Sequence, residues 1–190
     1  MKIEINVPTS INEITLGQYQ VYESKIFDDI DLDEVRKILI SSFTDIDYDD
    51  VDKLKQSDKE EISDKLYNIV KEEGEFVNRF YLGGIEHGLI PNMDKGALIG
   101  DEYTDLIKYP LNNTSTLHRL MAVIYRPIKE EDRKGNYTVV PYMGTSEWGE
   151  KMKEVPFSIV NGMQGFFLTV SKILEQRTQK YSEEQEKEAV

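Results

Sequence analysis

The spacing of apolar residues changes near residue 76, and this change constrains the fold more than any other feature of the sequence. Between residues 16 and 74, apolar side chains recur every three or four positions, the period of a helix with one buried face. From Val77 the spacing alternates, and Gly83-Gly84 separates two alternating runs, as in a tight hairpin turn that needs positive φ angles. The sequence therefore predicts an α+β fold in which helices predominate.

Two helices in the first part of the chain are indicated by pairs of capping residues. Asp31 with Glu34, and Ser57 with Glu60, have the spacing of a capping box, in which the two side chains bond backbone N–H groups of the first turn. We expect the first of these helices to end near Phe43 and the second at Gly74. Their predicted buried faces are Leu32, Val35, Ile38 and Leu39 in the first helix, and Ile62, Leu66, Ile69 and Val70 in the second.

Other elements are predicted on either side of this pair. Alternation at Ile3, Ile5 and Val7 predicts an N-terminal strand, and Thr15 is a suitable cap for a helix ending near Ile26. Residues 126–142 are expected to form a second small hairpin around Gly135. Shorter helices are predicted from Asp101 to Ile107, from Thr114 or Ser115 to Tyr125, where Arg126-Pro127 would end the helix, and from Ser146 onward.

The last long helix is predicted to begin at Pro156 and to form the centre of the core. Its apolar residues are the most numerous of any helical segment: Val160, Met163, Phe166, Phe167, Val170, Ile173 and Leu174. Gly162 and Gly165 each lower helix propensity by about 1 kcal/mol, so close packing of another backbone is expected on that face. Residues 178–190 are polar and form either a tail that is mobile unless a partner orders it or a straight extension of the helix.

Charge is unevenly distributed along a chain whose net charge is −13. Residues 28–75, here called the acidic lobe, contain 17 Asp or Glu and 7 Lys or Arg, whereas residues 76–174 contain 11 of each. We interpret residues 1–177 as one domain, made of this helical acidic lobe and a neutral core half over residues 76–177, followed by the charged tail. The acidic lobe is either a solvated outer surface or a docking face for a basic partner.

Composition excludes several classes of function. Nucleic-acid binding depends on clustered cations that displace counterions from phosphates, and the acidic charge argues against it. A chain without cysteine has no disulfide and no thiol nucleophile, which is typical of synthesis in a reducing cytoplasm. No apolar segment approaches the length of a signal peptide or the about 20 residues of a membrane span, so no membrane association is expected.

No catalytic or cofactor motif is found in the sequence. Asp45, Asp47 and Asp49 share the alternate spacing of the first calcium ligands of an EF-hand, but the required sixth and twelfth residues are replaced by Asp50 and Gln56. The two histidines, His87 and His118, are the candidates for acid–base chemistry near neutral pH, and a structural role is the simpler interpretation of each. We therefore predict a protein that is not an enzyme, with no catalytic, cofactor-binding or metal-binding residues.

Aromatic residues are the candidates for a protein interface, because Tyr and Trp bury a large area at low entropic cost. Half-buried positions at the edge of the core are the alternative for most of them. Arg126 is expected either to anchor residues 101–105 by a bidentate ion pair or to satisfy carbonyl groups at a helix end. The predicted interface residues are Tyr19, Tyr22, Tyr103, Tyr109, Arg126, Tyr142 and Trp148.

Several segments together resemble a family of tailed-bacteriophage morphogenesis proteins. They are similar to baseplate and tail assembly proteins of large contractile-tailed phages and to their counterparts in short-tailed, crAss-like phages. The most specific segment is Met121-Ala122-Val123-Ile124-Tyr125-Arg126-Pro127-Ile128 followed by a tyrosine-rich strand. The resemblance covers most of the chain through Ile14-Thr15-Leu16-Gly17-Gln18-Tyr19-Gln20, residues 80–91, residues 117–128, residues 137–144 and residues 156–174.

The resemblance implies a protein without catalytic residues that acts through contacts with other phage structural proteins. The first hypothesis is a homo-oligomeric subunit of the virion tail or head-to-tail region, in a ring, connector or baseplate, made in the host bacterial cytoplasm. The second is a tail assembly chaperone that is absent from the mature virion. The third is an acidic inhibitor of a host protein, in which negative charge mimics nucleic acid.

Overall fold

The computed structural model describes residues 5–91, 98 and 100–188, and side chains as far as residue 172. Ile3 of the predicted N-terminal strand lies outside these residues, and Ile5 and Val7 belong to no strand, so the described part of that prediction is wrong. The N–H of Asn6 donates to the Asp45 carboxylate at 3.3 Å. The N-terminal segment is thus held by a side chain of the acidic lobe, in place of a neighbouring strand.

Three helices form the first layer: α1 (Leu16–Lys25), α2 (Leu32–Phe43) and α3 (Gln56–Val70). Thr15 caps α1 as predicted, and Gln18 completes a capping box with it. The Thr15 hydroxyl accepts from the Gln18 N–H at 3.2 Å, while the Gln18 side-chain oxygen accepts from the Thr15 N–H at 2.9 Å. A turn of 3-10 helix, Tyr48–Lys53, which the sequence did not indicate, connects α2 to α3.

Neither predicted capping box forms in the acidic lobe. Asp31 caps α2 through the Asp33 N–H at 2.8 Å, but the Glu34 carboxylate accepts from the Tyr48 hydroxyl. α3 begins at Gln56, ahead of Ser57, and the side-chain nitrogen of Gln56 donates to Glu60 at 3.1 Å. Both glutamates therefore bond other side chains, which local spacing does not reveal.

The boundaries and faces of α2 and α3 agree with the sequence only in part. Ile38, Leu39, Leu66 and Ile69 are buried as predicted, whereas Leu32 is 63% exposed in the first turn of α2. α3 ends at Val70 and not at Gly74. Gly74 instead packs against a later helix, because a Cβ there would lie 1.9 Å from the Ser158 carbonyl oxygen.

The described strands form one antiparallel sheet in the order β1-β2-β3-β4. Both predicted hairpins are present, but they are joined into this single sheet by pairing of His87 with Pro127 and of Leu89 with Tyr125. Gly83 and Gly84 have φ angles of 56° and 78°, as the hairpin turn requires. The strands are β1 (Arg79–Leu82), β2 (Ile85–Leu89), β3 (Tyr125–Glu131) and β4 (Tyr137–Val139).

The second group of helices is α4 (Gly100–Lys108), α5 (Leu117–Ile124), α6 (Ser146–Met152) and α7 (Phe157–Glu188). α5 begins after a short 3-10 turn at Thr114–Thr116 and leads directly into β3, so Arg126 and Pro127 lie in a strand. All four helices lie close to their predicted positions. None of the helices in the described part of the chain is long and apolar enough to cross a membrane.

The centre of the core is α5 and not α7. Seven of the eight residues of α5 are buried, including Met121 and Val123, which are fully inaccessible. α7 contributes Phe157, Val160 and Met163 from its first two turns. The same apolar cluster includes Leu39, Phe43 and Leu66 from the acidic lobe, so both halves of the chain supply one core.

The start of α7 is fixed by backbone contacts. The Phe157 N–H donates to the Ile14 carbonyl at 2.7 Å. A Cβ at Gly162 would lie 2.4 Å from the Glu75 carbonyl group, which confirms the predicted close approach, but Gly165 has no such neighbour within 4 Å and that part of the prediction is wrong. The backbone remains helical to Glu188, so most of residues 178–190 follow the second alternative, a straight extension of the helix.

Candidate functional site

The predicted interface residues do not form one surface. Tyr19 stacks on Phe157 with ring centroids 3.7 Å apart, and Tyr22 packs on Phe43 at 5.3 Å, so both lie at the edge of the core. Trp148 packs edge-on against His87. Tyr109 is only 7% exposed, whereas Tyr103 on α4 is 58% exposed. Of the predicted aromatic residues, Tyr103 has the exposure expected of an interface residue.

Arg126 and Tyr142 lie together beneath α4. Arg126 Nη1 lies 2.8 Å from Glu102 Oε1, with both side chains buried, so the predicted anchoring of residues 101–105 is correct and Glu102 is the partner. The Tyr142 hydroxyl donates to the Asp105 carboxylate, and burial together with this bond raises the pKa of Tyr142. Removal of either member of a buried ion pair strongly destabilises a fold, because it leaves the other charge buried without its partner. The Arg126–Glu102 pair thus connects α4 to β3.

α4 forms one wall of an apolar groove with a volume of about 370 Å³, which we call the α7 groove. The opposite wall is Phe167 of α7, and the floor includes Leu120 and Ile124 of α5. Ile107 at the rim is 62% exposed. α4 and the segment after it contribute Leu106, Ile107, Tyr109, Pro110 and Leu111 to the groove.

α7 itself changes from buried to exposed next to this groove. Met163 is the last buried residue among the described side chains of α7, whereas Phe166 is 40% and Leu168 is 52% exposed. Phe166 stacks on Phe76 with ring centroids 4.0 Å apart, but it still presents much of its ring to solvent. We call residues 164–188 the arm; they follow the last fully buried residue described in the helix, and Phe167 at the start of the arm still packs on the edge of the core.

A second depression of about 500 Å³ lies on the other side of the arm. It is lined by Glu73, Gly74 and Phe76 and by five residues of α7: Asn161, Gly162, Gly165, Phe166 and Thr169. Glu73 and Glu75 are exposed there, and the Asn161 side chain donates to the Glu72 carbonyl at 2.9 Å. The base of the arm is therefore apolar on the side of the α7 groove and acidic on the other side.

The sequence predicts the apolar residues of the arm as part of the core. Helical spacing reports that one face is apolar, and it does not report whether the same chain covers that face. Tyr109 of this groove is among the predicted interface residues, whereas Ile107 is not, because the groove brings together residues from α4, α5 and α7 that are distant in sequence. The sequence signal for this site is the length of the apolar run in the last helix, which is longer than one core can cover.

The two histidines are placed in the interior, away from the residues of the α7 groove. His87 Nδ1 lies 3.0 Å from the Ile85 carbonyl oxygen, and its ring packs between Phe80 and Trp148. His118 Nδ1 lies 3.0 Å from the Gln20 side-chain nitrogen, which donates to it. Burial disfavours the charged imidazolium and lowers the pKa of both histidines.

The acidic lobe uses several of its cations internally. Lys37 lies 2.7 Å and Lys59 lies 3.3 Å from the Asp52 carboxylate, and Lys59 also lies 3.5 Å from Asp33. These contacts join α2, α3 and the turn between them. Within the described ranges, no three His, Asp or Glu side chains are grouped in a way that could hold a metal ion, and Asp45 accepts a bond from Asn6.

Comparisons of the chain with known protein families, with curated proteins and with solved structures found no match. Its candidate site is therefore defined by geometry: an apolar groove next to a helix that continues beyond the core.

Proposed function

We propose that this chain is a non-enzymatic morphogenesis protein of tailed bacteriophages and a structural subunit of the virion tail or head-to-tail region. The sequence resemblance gives the biological setting. The observation that carries the proposal is the apolar surface made of the α7 groove and the exposed part of α7. Such surfaces on soluble proteins mark sites of protein–protein contact.

The length of α7 supports a role in assembly. A helix of 32 residues is about 48 Å long, and among its described side chains, as far as residue 172, Met163 is the last that is fully buried. Most helices in proteins are stabilised by tertiary packing of an apolar face and not by intrinsic propensity. Phe166 and Leu168, which follow Met163, remain 40% and 52% exposed, so packing from another subunit would increase their contribution to stability.

The distribution of charge supports different roles for the acidic lobe and the neutral core half. The groove and the described part of the arm belong to residues 76–174, where acidic and basic residues are equal in number. The acidic lobe would face outward, where its charge keeps the particle surface hydrated or attracts a basic neighbour.

Mass spectrometry of purified particles from the phage that encodes this chain tests the proposal. A structural subunit is expected in particles in a constant ratio to the major tail proteins, and at the same ratio after repeated purification. If the chain is abundant in infected cells but missing from finished particles, the structural role is wrong and an assembly chaperone is the better explanation.

A pull-down from infected cells provides the independent comparison. Recovery of tail or connector proteins agrees with the proposal, while recovery of a host nuclease or polymerase in their place indicates the acidic inhibitor. An enzyme would be indicated by an activity of the purified chain that is lost in His87→Ala or His118→Ala.

A further inference from the structure

We propose that the depression of about 500 Å³ on the acidic side of the arm is a docking site for an arginine side chain of another protein. We call it the acidic depression. The proposed function concerns where the chain acts, whereas this inference concerns the chemistry of one site and holds for a partner of any origin. It follows from four features of the site: a preformed wall, two carboxylates, an aromatic ring and a glycine with open space beside it.

The wall of the acidic depression is packed directly on α7. A Cβ at Gly162 would lie 2.4 Å from the Glu75 carbonyl group, so the backbone of the wall is in contact with the helix. The Asn161 side chain donates to the Glu72 carbonyl at 2.9 Å and fixes the preceding residues. A site that is formed before binding loses little conformational entropy when a ligand enters it.

Two carboxylates of this wall are available to a partner. Lys71 lies 3.9 Å from the centroid of a tyrosine ring, and the Glu72 carboxylate accepts from the Ile11 N–H at 3.1 Å. Glu73 and Glu75 are exposed and have no hydrogen bond or ion pair with another residue that the structure describes. Both belong to the acidic lobe, where acidic residues outnumber basic ones by 17 to 7, so the complementary occupant is a cation.

The aromatic ring favours arginine over other cations. Phe166 stacks on Phe76 with ring centroids 4.0 Å apart and remains 40% exposed at the acidic depression. A guanidinium group is planar, so it can lie against an aromatic ring while its N–H groups point at carboxylates. The ammonium group of lysine is a compact and strongly hydrated point charge, which makes it a poorer match for a ring beside two carboxylates.

Gly165 leaves the floor of the acidic depression open. A glycine inside a helix costs about 1 kcal/mol relative to alanine. Close backbone packing accounts for Gly162, whereas a Cβ at Gly165 would meet no neighbouring group within 4 Å. Gly165 is exposed and lines the depression, and glycine at such a position lets another molecule approach the backbone closely. The aliphatic part of the arginine would lie over Gly165, with its guanidinium group at the carboxylates.

An NMR titration of the isotope-labelled full-length chain tests this site. The probe is a short capped peptide with one arginine between glycines, and the control peptide has citrulline, which has nearly the same shape without the charge. The arginine peptide is expected to shift the amide signals of Gly74, Gly165 and Phe166 in a saturable way, and the citrulline peptide is expected to leave them unchanged. Added salt is expected to weaken the binding, because the carboxylates are exposed.

A variant of the floor separates recognition from folding. Gly165→Leu puts a side chain into the acidic depression and is expected to abolish the shifts at Gly74. Leucine favours helices more than glycine does, so the melting temperature is expected to stay the same or to rise. Loss of binding in a chain of undiminished stability is a result that damage to the fold does not produce.

A pair of double variants tests the carboxylates. Glu73→Gln with Glu75→Gln is expected to weaken binding of the arginine peptide by about fivefold or more, the size expected for exposed ion pairs. The matched control is Glu61→Gln with Asp64→Asn, which removes the same charge from exposed positions of α3 and is expected to leave the affinity nearly unchanged.

The proposal is overturned if the unmodified chain shows no shifts, if the citrulline peptide binds equally well, or if the two double variants weaken binding to the same extent. A peptide with lysine in place of arginine that binds as tightly contradicts the assignment of arginine. The titration uses the purified chain, so its outcome is separate from that of the particle experiments: a chain that is missing from particles can still bind the peptide, and a chain that is present in them can fail to do so.

Discussion

The first two turns of α7, here called its base, have the same pattern of apolar residues as the arm but lie in the opposite environment. In the base, Phe157, Val160 and Met163 are buried under other parts of the chain, including residues 11–14 and 74–76. In the arm, Phe166 and Leu168 are half exposed next to an open groove. This difference shows that the apolar face of a helix can be covered by the rest of its own chain or remain exposed to a second molecule.

The largest difference between the two regions is expected from side-chain truncation. Met163→Ala removes a fully buried side chain and is expected to lower the free energy of unfolding by about 2–5 kcal/mol. Leu168→Ala is expected to change it by less than about 0.5 kcal/mol, because the side chain is already half exposed. Urea unfolding of the two variants at low protein concentration measures both values, and equal losses would remove the distinction.

The two glycines of α7 provide a smaller and sharper test. Gly162→Ala places a Cβ 2.4 Å from the Glu75 backbone and is expected to destabilise the fold by about 1–3 kcal/mol. Gly165→Ala meets no atom within 4 Å and is expected to stabilise it by up to about 1 kcal/mol through helix propensity. Opposite shifts in melting temperature confirm the packing described for the base, and stabilisation by Gly162→Ala would contradict it.

The smallest effect is expected from pH, which acts on the core and not on the arm. Burial lowers the pKa of His87 and His118 in the folded state, so the unfolded chain binds their protons first as pH falls. Stability is then complete above the unfolded value of about 6.5 and decreases as pH falls below it.

The free energy of unfolding is measured between pH 7.5 and 5, a range that includes the histidine pKa of about 6.5 in the unfolded chain. His87→Leu is expected to make its pH dependence shallower, whatever its effect at pH 7.5. A slope that is unchanged in His87→Leu would show that this histidine is not protonated on unfolding.

Local signals predicted most of the elements. The Thr15 cap, the Gly83-Gly84 turn and the hairpin around Gly135 each depend on residues that are neighbours in sequence, and each was confirmed. The α+β class with mainly helical structure follows from these elements. The capping boxes predicted with Glu34 and Glu60 do not form, because these carboxylates accept hydrogen bonds from the side chains of Tyr48 and Gln56.

The candidate site was less predictable than the fold. Arg126 pairs with Glu102 of α4, which is the first of the two alternatives that the sequence left open for this residue. The interface tyrosines were chosen for residue type, and Tyr109 proves to be buried. The groove depends on three helices meeting, so no single segment contains it.

The sequence by itself determined where helices, turns and apolar faces occur, because these depend on backbone preferences and on the period of neighbouring side chains. The tertiary structure decided that α5 is the centre of the core, that both hairpins share one sheet and that the fully buried residues among the described side chains of α7 lie in its first two turns. The physical reason is that burial depends on how much surface the rest of the chain can cover. Among the side chains of α7 that the structure describes, Met163 is the last one fully buried, and the apolar pattern of the sequence continues beyond it.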